Sequence, residues 1–192
     1  MPDYRFVVTA RLDLAEVAED DLDDLHALSA DPRVWEHFPS GRHLDRDTTS
    51  EQLETFRASW HEAGLGYWTA RLRHTGEFVG VGGCALRRGA TWNVYYRIRP
   101  QAQGHGYASE LVEEAQKAAH DLRPELPVAA FLLEHNVASR RTAERAGLRL
   151  AWRGPDAGNP DPDAVRLVYT DRPLTDDQLA AMITGPTTTQ RR

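Results

Sequence analysis

The segment Gln103-Gly104-His105-Gly106-Tyr107-Ala108-Ser109 carries the plainest chemical implication in this 192-residue sequence. It follows an extended run, Thr91 to Arg99, that ends at Pro100, and it opens a stretch of helical periodicity. Small residues at 104, 106 and 108 let the backbone approach a ligand closely, and the first N–H groups of a helix lack intrahelical acceptors. Such a turn suits a phosphate or pyrophosphate, although a ligand-free tight turn uses the same residues. A P-loop is excluded: it needs Gly-Lys-Ser/Thr, and Lys117 is the sole lysine. A dinucleotide fingerprint needs a third glycine where Ser109 stands. Cys84, the single cysteine, lies in an apolar run and reads as a buried filler, which excludes an internal disulfide or a cysteine-cluster metal site. No two histidines share an i, i+4 spacing on one helix, so no metal is expected.

The elements around this turn can be read from periodicity. Phe6 to Leu14 reads as a first strand, with Leu12 and Leu14 on one face. Val17 to Ser29 reads as a helix whose Asp20, Asp21, Asp23 and Asp24 form a solvated face near its positive end. A second helix is expected over Thr48 to His61. Strands over Tyr67 to Leu72, Phe78 to Leu86 and Thr91 to Ile98 are separated by turns that suit successive hairpins. Gly104 to Asp121 reads as an amphipathic helix with Glu110, Glu113 and Glu114 outward. Val128 to Leu133 reads as a doubly buried strand, Ala138 to Ala146 as a short helix stopped at Gly147, and Val165 to Thr170 as a last strand after a long turn. A meander, a strand-helix-strand crossover and a final hairpin indicate an α+β fold built on one mixed, mostly antiparallel sheet with flanking helices. The domain is expected to span residues 1–174. A tail over 175–192 would hold a short helix, Asp176 to Ile183, and a frayed, Thr-rich end.

A net charge of −6 is a poor start for binding nucleic acid, and no apolar run approaches the length of a membrane span. Asp3 precedes a short apolar run with no small-residue cleavage site, so no secretory signal is read and a cytoplasmic location is expected.

Pro100-x-x-Gln103-Gly104-His105-Gly106-Tyr107-Ala108 resembles the acetyl-CoA signature of the GNAT superfamily of N-acetyltransferases. Asn136-Val137-Ala138-Ser139 with Glu144, Gly147 and Leu148 resembles a second block of that superfamily, with Leu148 in place of the usual Phe. Arg11-Leu12-x-Leu14, Asp31-Pro32-x-Val34 and Tyr107-Ala108 are similar to the branch of ribosomal-protein N-terminal acetyltransferases.

The resemblance, which covers about residues 9–170, implies an acyl-CoA N-acyltransferase fold with two splayed strands that hold pantetheine. Its amides would pair with Tyr96, Arg97 and Ile98, and its pyrophosphate with the amides of Gly104, His105, Gly106, Tyr107, Ala108 and Ser109, the turn led by Gln103. Asn136 would line the thioester end, and Arg140, Arg141, Arg97 and Arg99 could reach the adenosine phosphates. Ser139 is implied as the proton donor to the leaving thiolate; Ala143 stands where other members carry a Tyr, and Trp92 and Asn93 stand where many carry a Glu. Glu36, His37 and His43 fall in the loop expected to roof the acceptor, Glu134 and His135 just before Asn136, and Trp35, Phe38, Tyr67 and Trp68 give that side an aromatic character.

The expected activity is direct acetyl transfer from acetyl-CoA to a primary amine, either a protein N-terminus or a small cationic amine, the latter suggested by the acidic net charge. A CoA-binding module without catalysis and an enzyme for longer acyl groups are the alternatives. A homodimer is compatible, since related proteins are often dimers.

Overall fold

The computed structural model describes residues 2–184; the expected frayed Thr-rich end lies outside the described residues. The chain runs β1 (Phe6–Val8), β2 (Leu12–Glu16), α1 (Leu22–Ala30), α2 (Arg46–Ala63), β3 (Tyr67–Leu72), β4 (Phe78–Arg87), β5 (Thr91–Ile98), α3 (Tyr107–Leu122), β6 (Val128–Leu133), α4 (Val137–Arg145), β7 (Arg149–Pro155), β8 (Val165–Thr170) and α5 (Asp176–Ile183). One eight-stranded sheet forms in the order β1-β2-β3-β4-β5-β6-β8-β7. All neighbours are antiparallel except β5 and β6. The fold class is therefore the expected one.

Two expectations near the N-terminus need correction. The first strand is a hairpin, because Thr9 and Leu12 close a tight turn: Thr9 N–H donates to Leu12 O at 2.9 Å, and Leu12 N–H donates to Thr9 Oγ1 at 3.0 Å. The expected first helix starts later, at Leu22, after a 3-10 turn over Glu19–Asp21. Nor are its aspartates a uniformly solvated face. Asp21 is buried, accepts from Ala18 N–H and pairs with Arg71, which also reaches Asp24. A buried carboxylate needs such partners, so these residues tie α1 to β3.

Strand parity sorts the core into two layers. Trp92, Val94 and Ile98 of β5 join Leu111, Val112 and Ala115 of α3 in one cluster. On the opposite face, Leu25 and Leu28 of α1 and Leu53 and Phe56 of α2 pack with Tyr67, Val81 and Tyr95. A third cluster seats α5 on the sheet: Met182 packs on Ala129 and Val168, and Arg87 donates to the carbonyls of Ala181 and Met182.

The pairing of β5 with β6 is short. Only Trp92↔Val128 and Asn93↔Ala129 are in register before the strands part. The start of β6 is pinned from both sides. Trp92 N–H donates to Pro127 O at 2.9 Å, Asp171 N–H donates to Val128 O at 3.1 Å, and Val128 N–H donates to Asp171 Oδ1 at 3.0 Å. Burial pushes the Asp171 carboxyl up, but hydrogen bonds from Arg172, His120 and Val128 outweigh it and hold the group below the ordinary carboxylate range.

Asp171→Ala should cost about 1–3 kcal/mol, since it strips the Val128 N–H of its partner along with two side-chain bonds. Urea unfolding of the two proteins checks this. The stabilisation is fully present above the unfolded carboxyl value near 4 and is lost as pH falls through the lower folded value. The gap between wild type and variant should therefore close on acidification below pH 4, and a gap constant down to pH 2 would refute the assignment.

Candidate functional site

Where β5 and β6 part, a cleft of about 160 Å³ opens between them. One wall comes from the α3 side of the sheet: Val94, Tyr96 and Val112, with Asn136, Ser139 and Ala143 from α4 and its N-cap. The other wall comes from the α1–α2 side: Trp35, His37, Tyr67, Asn93, Tyr95 and Arg97. Consecutive β5 side chains thus alternate between two half-sites, as the pleat requires.

At the far end of β5 lies the glycine turn. Gly104 and Gly106 have φ of +80° and +81°, a region that costs an L-residue roughly 1–2 kcal/mol. Gly106 is the N-cap of α3 and, having no side chain, offers no acceptor. In α2, α4 and α5, by contrast, Asp45, Asn136 and Thr175 accept from the first-turn amides. The first intrahelical bond after Gly106 runs from Glu110 N–H to Gly106 O, so the amides of Tyr107, Ala108 and Ser109 are left for a ligand. The positive end of α3 is uncapped just beyond the open cleft.

The turn is braced by residues that motif reading did not single out as site residues. Arg11, in the β1–β2 turn, donates to His105 O at 2.8 Å and pairs with Glu110 at 2.7 Å, and its guanidinium lies over the Tyr107 ring. Thr9 also donates to Glu110. Glu110 is therefore a buttress rather than one of the outward glutamates expected. Its carboxyl is raised by burial but lowered more by bonds from Thr9 and Arg11, so it stays ionised at neutral pH. His105 stacks on Tyr107 and its Nδ1 lies 2.9 Å from Gln103 O. Gln103 Nε2 donates to Ile98 O at 3.0 Å, fixing where β5 hands over to the turn. In the sequence this brace showed only as Arg11 in the Arg11-Leu12-x-Leu14 motif and Glu110 just after the glycine turn, with nothing to pair them.

Ser139 sits in the first turn of α4, its N–H donated to Asn136 Oδ1 at 3.1 Å. Tyr96 reaches toward it from β5. The Tyr96 hydroxyl is sealed from solvent and has no well-formed hydrogen bond. Burial raises its pKa, and the neighbouring Ser139 and Thr142 hydroxyls temper the rise. Arg140 also lies in this turn, with its Nε buried and unpartnered.

Several expected neighbours lie elsewhere. Arg99 pairs with Glu77 on β4's leading edge, and Glu134 pairs with Arg153. The Arg97 side chain points to the α1–α2 side, away from α3. His43 is buried against Thr49, and Trp68 is buried in the core, where it donates to Tyr4 O. His37, Trp35, Phe38 and Tyr67 do line the cleft, while Glu36 does not. His135 Nε2 donates to His37 O at 2.8 Å, which ties the roof loop to the end of β6. Burial, reinforced by Arg97, His135 and Arg166, pushes the His37 pKa down to about 4, so this imidazole is neutral at pH 7. Among the described residues, no cluster could hold a metal ion, and no helix is long and apolar enough to cross a membrane.

Residues 11–149 match a family model described as an acetyltransferase (GNAT) domain. No curated protein matches. Among solved structures, an acetyltransferase from Agrobacterium tumefaciens is 26% identical, with a TM-score of 0.70 over 88% of this chain and 94% of that one. An acetyl transferase from Salmonella typhimurium that modifies the N-terminal serine of a 50S ribosomal subunit protein is 17% identical, with a TM-score of 0.71 over 88% and 98% of the two chains. RimL, a ribosomal-protein alpha-N-acetyltransferase in complex with coenzyme A, is 20% identical, with a TM-score of 0.69 over 88% and 97%. At those identities the last two likenesses establish shared fold.

Gly106→Ala forces a Cβ onto a left-handed N-cap, where Arg11 Nη2 would lie 3.5 Å from it. That is ordinary contact, so the cost is backbone strain, and the variant should lose roughly 1–2 kcal/mol in chemical denaturation. A neutral result would show that the turn relaxes freely and is not preorganised.

Proposed function

The chain belongs to the GNAT family of acetyl-CoA-dependent N-acetyltransferases, and from that premise we propose that its β5–β6 cleft passes the acetyl group directly to a primary amine. The observation that carries the reading is the parting of β5 from β6 beside an uncapped α3 N-terminus. Together they offer unpaired strand backbone for pantetheine amides and free helix amides for a diphosphate.

When bound, acetyl-CoA supplies a thioester that an amine can displace. The amides of Tyr107, Ala108 and Ser109, within the turn Gln103 to Ser109, would hold its pyrophosphate, and the backbone of Tyr96 to Ile98 its pantetheine. Asn136 holds α4 in place by capping it, which sets Ser139 on the cleft wall. Ser139 keeps a proton at Oγ for the departing sulfur, and the Tyr96 hydroxyl, held protonated by burial, faces it as the next donor. Arg140, with its orphaned Nε, is placed to meet negative charge near the same turn.

Among the described residues, the lining of the cleft includes no Asp or Glu. A strong general base is therefore missing, which favours an acceptor that is already partly neutral. At pH 7 an α-amine with pKa about 7.8 is roughly 14% neutral, against roughly 0.04% for a lysine amine near 10.4. A protein or amino-acid α-amine fits better than a side-chain amine. The same gap also favours a second reading, a coenzyme A-binding module without turnover.

Titrating coenzyme A into the purified chain by calorimetry, beside thiol-release assays on α-amines, separates these readings. Binding with turnover is expected. Ser139→Ala should lower kcat by about 10- to 100-fold with little change in the KM for acetyl-CoA, and Tyr96→Phe by less. Unchanged turnover in Ser139→Ala removes that residue from its role, binding without turnover of any amine supports the second reading, and no heat on titration refutes both.

A further inference from the structure

The overall acidity of the chain does not extend into the acceptor half of the cleft. Its charged lining residues are Arg97 and Arg166. Arg166 is neutralised by a paired contact with Asp156, at 2.8 Å from Nε and 2.7 Å from Nη2. Arg97 has no carboxylate partner among the described residues. Its guanidinium lies 3.5 Å from the centroid of the Trp35 ring, its Nε donates to Tyr95 Oη at 3.0 Å, and its Nη1 donates to Val34 O at 3.4 Å. The Nη2 edge has no acceptor among those residues. Trp35 is itself fixed, fully buried with Nε1 donating to Ser29 O at 2.6 Å, so the guanidinium rests on a rigid platform.

Resting on the acetyl-transfer reading above, we propose that the acceptor is an amine that also bears a carboxylate, and that Arg97 seats that carboxylate while the amine faces the cleft. A planar guanidinium with a free edge matches a carboxylate fork, and the aromatic floor of Trp35 and Tyr95 holds it flat. The surroundings agree with an unneutralised cation. The pKa values of His37 and His43 are both lowered, first by burial and then by Arg97. A small polycation would meet this positive field with no carboxylate to offset it.

The test uses matched pairs: each common amino acid against its carboxamide, and phosphoethanolamine against ethanolamine. Acetyl-CoA-dependent thiol release is measured, with calorimetric titration of the same acceptors into the coenzyme A-loaded and the free protein. The free acid should exceed its amide in kcat/KM by about 10- to 100-fold for the best pair, mostly through KM, the range expected for a hydrogen bond to a charged group. Arg97→Gln should abolish that ratio, and Arg97→Lys should retain part of it. Equal use of acid and amide, equal loss on both in Arg97→Gln, or phosphoethanolamine outranking every carboxylate would overturn the proposal. Calorimetry reads the preference without turnover. A chain that binds acids over amides yet transfers no acetyl group defeats only the transfer reading, and one that transfers without preference defeats only the carboxylate.

Discussion

A sheet cannot leave its backbone polar groups buried and unpaired, and here one internal seam breaks that rule by design. β5 and β6 share two residue pairs and then separate, so each strand keeps a row of N–H and C=O groups facing a gap rather than a neighbour. The rest of the architecture maintains that separation. Asp171 clamps the closed end, α3 and α4 buttress the α3-side wall, and α1 and α2 roof the other side. A ligand able to hydrogen-bond like a strand completes the sheet, which is why an extended amide-bearing arm suits the site.

The β-strands from Tyr67 to Ile98, and β6 and β8 after α3, were legible because their apolar period, turn residues and lengths agree with one another. β3, β5, β6 and β8 have the expected bounds. The N-terminal hairpin was not, since the turn at Thr9 is closed by a threonine hydroxyl and carries no glycine or proline. The glycine turn was legible as a candidate anion site through local chemistry alone. Its brace was not, because Arg11 and Glu110 are 99 residues apart and nothing in a single sequence pairs them.

The acceptor side shows a different limit. Net charge is summed over the surface, whereas a cleft responds to the few groups that line it and to what neutralises each. Of its two guanidiniums, one is paired and the other has no carboxylate partner among the described residues, and only tertiary structure separates those cases. Counting acidic and basic residues pointed toward a cation; the local arrangement points the other way.

The alternation along β5 has a consequence for how this site can change over evolutionary time. Side chains at 94 and 96 line one half-site and those at 93, 95 and 97 the other, on a single strand. On the proposed function, substitution can therefore retune acceptor choice without touching the nucleotide side. Inserting or deleting one residue in the strand would exchange the two sets wholesale. Lineages that diversify by swapping loops have the roof segment around Trp35 to Phe38 to work with, but the length of this strand is locked.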